Sequence, residues 1–238
     1  MEKQLQGLGR GAISVEPPIS VNFRARDYHS ALSHFVGFLL SIVASFPLLV
    51  KASCAGCSLA ELLSLCGFMG GAIALYGAST AYHSFQLEEK GYLRLKRLDH
   101  SMIYLLIVGS YLPVCAFGLQ GQGGGLLAAL VSVIALAGIL FTLCWVTCPK
   151  WLNSVIYIAL GWVSAFALPK MVGVMSPAAM FWLVLGGVIY TVGGVIYALK
   201  LPGLEKRIPG FGAHELFHLF VLAGTACHYI MVFGYLVP

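Results

Sequence analysis

The sequence predicts an all-α integral membrane protein: a bundle of seven transmembrane helices, N-terminus cytoplasmic and C-terminus outside. Three observations carry that prediction. The 238 residues are 59% apolar and only 10% charged, whereas about a quarter of a soluble domain is charged. Apolar stretches close to the ~20 residues needed to cross a bilayer recur seven times. Lysine and arginine concentrate in alternate connections between those stretches, as the positive-inside rule requires.

Residues 1–28 are polar, contain Pro17-Pro18 and lack the short apolar core of a cleavable signal. They read as a flexible, mildly basic cytoplasmic tail, and residues 29–238 as one transmembrane domain. The predicted helices run roughly Ala31–Val50, Ala60–Phe85, Leu98–Gly118, Gly125–Val146, Leu152–Leu168, Ala178–Leu199 and Gly212–Leu236. The fifth is short. The connections are also short, so successive helices are antiparallel neighbours.

The basic residues Lys3, Arg10, Arg24 and Arg26 lie in the tail, and Lys90, Arg94, Lys96 and Arg97 follow the second helix. Lys150 follows the fourth, and Lys200, Lys206 and Arg207 follow the sixth. Only Lys51 and Lys170 fall on the opposite side. Twelve against two places the N-terminus in the cytoplasm and the C-terminus outside, and it supports the count of seven. The net charge of +5 is therefore a topology signal, and no nucleic-acid partner is expected.

The pairs Gly70-Gly71, Gly186-Gly187 and Gly193-Gly194 let helix backbones approach closely in lipid. The run Gly121–Gly125 is a turn, without the Lys-Ser/Thr of a phosphate-binding loop. The seven cysteines are odd in number, and Cys54-x-x-Cys57 has no second pair to complete a zinc ribbon. Unpaired thiols are expected.

The chemistry gathers at one predicted membrane level. His214 and His218 are four residues apart at the start of the seventh helix, so both imidazoles lie on one helical face. The second helix ends at the same side with Ser79 and His83, and the third begins there with Asp99-His100. Ionisable residues inside membrane segments are rare and usually functional. His83, His214 and His218 supply three nitrogen ligands, and three protein ligands plus water is the pattern of a catalytic zinc. Such a metal lowers the pKa of its water to about 7. Asp99 is placed to take a proton from that water. Ser79, one turn from His83, is placed to stabilise an oxyanion or orient the ligand. His29, His34 and His228 read as helix–helix hydrogen-bond partners.

His214-Glu215-Leu216-Phe217-His218 also matches H-E-x-x-H, in which the glutamate of a zinc peptidase is the general base. A peptidase needs a third ligand from a later acidic motif, and no Asp or Glu follows Glu215.

Ser79-x-x-x-His83, the stretch Asp99-His100-Ser101-Met102-Ile103-Tyr104 continuing to Gly109-Ser110-Tyr111-Leu112-Pro113, and His214-x-x-x-His218 together resemble the three motifs of the hemolysin III-like proteins. These belong to the progestin and adipoQ receptor superfamily. Ser33-His34-x-x-Gly37 is similar to the family's first helix. The resemblance covers nearly the whole chain beyond the tail, and the lack of extra domains looks like the bacterial branch. It implies a seven-helix protein of the bacterial inner membrane. It implies Zn2+ held by His83, His214 and His218, Asp99 contacting the water and Ser79 supporting. In the receptor branch such a site is associated with hydrolysis of lipid amides, ceramide especially, so a membrane lipid is the expected substrate. Two other readings stay open: a lipid sensor with structural zinc, and a cytolysin or channel, as the bacterial branch's name implies.

Overall fold

The computed structural model describes residues 25–200 and 211–238. The tail through Arg24 and the connection holding Lys206 and Arg207 lie outside the described residues. The helices are α1 (Tyr28–Cys54), α2 (Leu59–Ser84), α3 (Glu89–Pro113), α4 (Gly124–Cys144), α5 (Lys150–Gly161), α6 (Leu168–Val174), α7 (Pro177–Leu199) and α8 (Ala213–Met231). There is no strand among the described residues. Seven stretches among them are long and apolar enough to cross a membrane, α5 and α6 together forming the fifth, Lys150–Val174. This is the expected all-α, seven-helix membrane architecture, in which each helix satisfies its backbone groups within its own segment in lipid.

The fifth span departs most from expectation. It is longer than Leu152–Leu168, and its middle, Trp162–Ala167, is wound as a tighter 3-10 helix. Pro169 explains the break. A proline has no N–H to give the carbonyl four residues earlier, and its ring clashes with that carbonyl. A tyrosine from a neighbouring helix serves the backbone groups this exposes. The Tyr111 hydroxyl shares its proton between the carbonyls of Leu160 (2.9 Å) and Gly161 (2.6 Å) and accepts from the Ser164 N–H (2.9 Å). The third helix begins nine residues before its apolar stretch, because the charged turns from Glu89 to Arg97 continue the same helix past it.

The two basic residues at the far end of the bundle have structural duties. Lys51 Nζ donates to the carbonyls of Phe233 (2.8 Å) and Val237 (2.7 Å), closing the wide final turns after α8. Lys170 Nζ donates to the Gln122 carbonyl in the turn between the third and fourth spans.

Glycines set the closest helix contact. A Cβ at Gly71 would meet the Leu105 carbonyl at 2.9 Å, and one at Gly109 would meet the Gly67 carbonyl at 2.7 Å, so α2 and α3 touch backbone to backbone. Within two of the three doublets the members differ: Gly70 and Gly187 have open space beside them, whereas Gly71 and Gly186 do not. Overpacking of this kind costs about 1–3 kcal/mol. Thermal unfolding in detergent should therefore show Gly109→Ala clearly destabilised and Gly70→Ala close to the parent. Equal midpoints for the two would refute the backbone contact.

Candidate metal centre

The end of α2 and the start of α8 meet at one end of the bundle. The last turn of α2 carries His83, and the chain then leaves the helix at Phe85 in an extended conformation. The first turns of α8 carry His214 and His218, whose ring centroids are 4.6 Å apart. The His83 ring lies 5.0 Å from His214 and 5.1 Å from His218. One nitrogen from each ring falls within 4.8 Å of the other two, an arrangement able to hold a metal ion. Nε2 of His83 and Nε2 of His214 are 3.2 Å apart. Nitrogens bound tetrahedrally to one zinc at 2.0–2.1 Å would stand about 3.3 Å apart. A neutral all-imidazole donor set suits zinc and its neighbours, not the hard cations that take oxygen ligands. The residues present therefore fit the ion the sequence implies.

The fourth and fifth expected residues lie beside this cluster. Ser79, one turn before His83, is fully buried and its Oγ has no hydrogen-bond partner among the described residues. Asp99 on α3 is buried, with Oδ2 3.3 Å from Nδ1 of His100. Ser79, Asp99, His214 and His218 line one cavity of about 170 Å³. It extends past the apolar side chains of Ile107, Leu168 and Met171, and past the broken middle of the fifth span at Trp162 and Ser164.

Glu215 is committed elsewhere. Its Oε2 accepts from the Gly212 N–H at 2.8 Å, capping the start of α8, and its Oε1 accepts from Ser30 Oγ at 2.8 Å. Both carboxylate oxygens hold α8 to its own N-terminus and to α1. The peptidase reading thus loses its general base.

Asp27, in the stretch read as tail, is part of the centre. Nδ1 of His83 donates to Asp27 Oδ2 at 2.9 Å, and the Asp27 N–H donates to the His83 carbonyl at 3.0 Å. This fixes the His83 tautomer and leaves Nε2 free as a ligand. Arg26 Nε also donates to Asp27 Oδ2 at 2.9 Å, while its guanidinium lies over the rings of Tyr82 (4.3 Å) and Tyr92 (4.8 Å). The His83 bond above all, with Arg26 beside it, lowers the Asp27 pKa to about 2 against the opposing effect of burial. The carboxylate is therefore ionised at neutral pH. Because the folded value is depressed, its contribution to stability is present above the unfolded value near 3.9 and fades as pH falls towards 2. An acidic residue close before the first membrane helix, opposite a histidine-rich end, was the available sequence signal.

His34 also departs from expectation. Among the described residues it has no hydrogen-bond partner at either nitrogen. It stacks on His218 with centroids 3.7 Å apart and planes 9° apart, and it lines the cavity. His228 does bond a neighbouring helix, through Nε2 to the Leu183 carbonyl at 3.3 Å. Among the described residues, His29 makes edge contacts with the Tyr28 and Phe211 rings. All seven cysteines are free thiols, Cys54 and Cys57 included.

Removing a carboxylate that orients a ligating histidine typically lowers metal affinity 10–100-fold. Asp27→Ala should show about that loss in zinc competition against a chromophoric chelator, with its helical circular dichroism unchanged. Parental affinity would show that Asp27 does not position His83.

A family model described as Haemolysin-III related matches residues 24–229. The chain is 34% identical over 208 residues to the hemolysin-3 homolog of Bacillus subtilis, covering 87% of this chain and 93% of that one. It is 31% identical over 216 residues to hemolysin-3 of Bacillus cereus, covering 91% and 94%. Over 180 residues it is 31% identical to the adiponectin receptor protein of Drosophila melanogaster, covering 68% of this chain and 40% of the receptor. With seven apolar helices and bacterial relatives matched almost end to end, this is a multi-pass membrane protein of inner-membrane type, and it belongs to the haemolysin-III-related family.

Proposed function

We propose that the protein is a zinc-dependent hydrolase of a membrane lipid amide or ester. The observation carrying this reading is one cavity lined by two of the three clustered histidines, a buried carboxylate and a buried unpartnered hydroxyl. A charge-neutral structural site would not need the last two. By the charge count the cluster lies at the cytoplasmic end, and the apolar cavity wall below it accommodates an acyl chain.

His83, His214 and His218 would hold Zn2+, which when bound acidifies water and polarises a carbonyl. Asp27 and Ser33 orient the ligands: the first holds His83, and the second has Oγ 3.5 Å from Nδ1 of His218. Asp99 accepts the water's proton on its carboxylate and returns it to the leaving heteroatom. Ser79 Oγ donates a hydrogen bond to the oxygen that gains negative charge. His34, unpartnered beside His218, hydrogen-bonds the polar part of the lipid. Helices α3, α7 and α8 exclude bulk water from the cavity, which strengthens each of these contacts.

The hemolysin name of the bacterial relatives suggests a cytolysin or channel, a reading that turns on conductance. Purified protein in lipid nanodiscs should cleave N-acyl or O-acyl lipids only when loaded with zinc. Asp99→Asn should keep its zinc and lose about 10²–10⁴-fold in turnover, and Ser79→Ala about 10²-fold. Full turnover by zinc-loaded Asp99→Asn would remove the mechanism. Zinc loss that unfolds a protein with no lipid turnover would favour a structural metal. Conductance in planar bilayers surviving His214→Ala would favour a channel.

A further inference from the structure

His228 lines the same cavity, about 15 Å along the α8 axis beyond His218. It is buried, and its Nε2 donates to the Leu183 carbonyl at 3.3 Å. In a neutral imidazole the other nitrogen is then an acceptor. That atom, Nδ1, is buried and has no hydrogen-bond partner among the described residues. Such a bare acceptor is costly in apolar surroundings. Two glycines make room for the arrangement. A Cβ at Gly186 would collide with the Cδ2–Nε2 edge of the His228 ring, so that edge lies against α7 and the opposite edge carries Nδ1. A Cβ at Gly224 would meet the Tyr190 ring at 2.8 Å. The Tyr190 ring centre is 5.4 Å from that of His228, and Tyr190 lines the cavity too.

The protons on this part of the wall are already placed. Thr225 Oγ1 donates to the Val221 carbonyl at 2.9 Å, so the hydroxyls of Tyr190 (2.8 Å) and Tyr76 (2.6 Å) both donate to it. Of the other lining hydroxyls, Thr191 donates to the Gly187 carbonyl (2.7 Å), Ser110 to Ile107 (2.7 Å) and Ser164 to Gly161 (3.1 Å). The Tyr111 proton goes to Leu160 and Gly161, and the Trp162 N–H to Thr191 Oγ1 at 2.9 Å. A hydroxyl has one proton and two lone pairs. These lining groups therefore have lone pairs to offer and no proton left to give. The helix–helix role expected of His228 accounts for its Nε2 and leaves Nδ1 unexplained.

We infer that the cavity binds a lipid carrying a hydroxyl in the middle of its acyl chain, and that this hydroxyl donates to the acceptors His228 Nδ1 and Tyr190 Oη. The polar head lies at the histidine cluster, and the chain passes Ile103 and Ile107 to reach them. A hydroxyl brings the proton that this stretch of wall lacks. A ketone or a plain methylene brings none. As a substrate assignment this rests on the hydrolase reading; binding itself needs no turnover.

The test is retention by the full chain in a neutral detergent, read by native mass spectrometry. The protein is offered equal amounts of ricinoleic acid, which has a mid-chain hydroxyl, and oleic acid, the same chain without it. The parent should retain ricinoleic acid about tenfold over oleic acid, the upper range for one neutral hydrogen bond. The ketone made by oxidising that hydroxyl should do no better than oleic acid. His228→Leu should lose the preference while holding oleic acid as the parent does, which separates loss of the acceptor from loss of the fold. Gly186→Ala, which displaces the ring without deleting a polar atom, should also lower the preference. Gly187→Ala, with open space beside it, should keep it. Equal retention of the two acids by the parent would overturn the inference. So would equal favour for the ketone, which would mark polarity alone, or an undiminished preference in His228→Leu. A preference for ricinoleic acid without lipid cleavage by the zinc-loaded protein would leave this site standing and remove only its substrate role.

Discussion

Inside a bilayer, an imidazole or a carboxylate has only other protein groups to bond with, and leaving one unpartnered costs several kcal/mol. The whole bundle is arranged around that constraint. Four histidines and a buried aspartate gather at one end, where α1, α2, α3 and α8 converge. Elsewhere one polar cluster pairs off in the core. The hydroxyls of Tyr76 and Tyr190 both reach Thr225 Oγ1, at 2.6 and 2.8 Å, tying α2, α7 and α8 together. Among the buried polar atoms without a partner in the described residues are both nitrogens of His34 and the hydroxyl of Ser79, all on residues that line the cavity. Groups left unsatisfied at such cost are those a ligand would satisfy.

Rigidity at the histidine cluster comes from support outside its three members. The Arg26–Asp27–His83 relay begins on the chain just before α1 and reaches the last turn of α2. The Glu215 carboxylate pins the first turn of α8 to α1 through Ser30. The first helix thus braces both segments that carry the clustered histidines. Backbone contact at Gly71 and Gly109 fixes α3, and with it Asp99, against α2. One prolyl break in the fifth span, held by Tyr111, gives the cavity wall its irregular section.

Much of this was legible in the sequence because membrane insertion writes itself into composition. Apolar length gave the seven helices, and charge segregation brought Ser79, His83, Asp99, His214 and His218 to one depth before any coordinates. What stayed hidden depends on side-chain direction. Asp27 sits in a polar segment whose pattern does not distinguish a bound carboxylate from a solvated one. His34 looked like an ordinary helix–helix partner, because stacking on His218 has no spacing signature. Glu215 matched a peptidase helix by position alone, and only its two bonds, to Gly212 and Ser30, show it as a cap. The fifth span runs past the predicted Leu152–Leu168, because the helix resumes after its 3-10 section and continues through Pro169 to Val174.

The central claim is that three helix-borne histidines, braced by Asp27, form a zinc centre. X-ray absorption at the zinc edge of the purified protein tests it most directly. The account predicts one zinc per chain with three imidazole nitrogens and an oxygen at about 2.0–2.1 Å, lost in His218→Ala. A folded protein that takes up no zinc, or zinc surrounded by sulfur at about 2.3 Å, would contradict it.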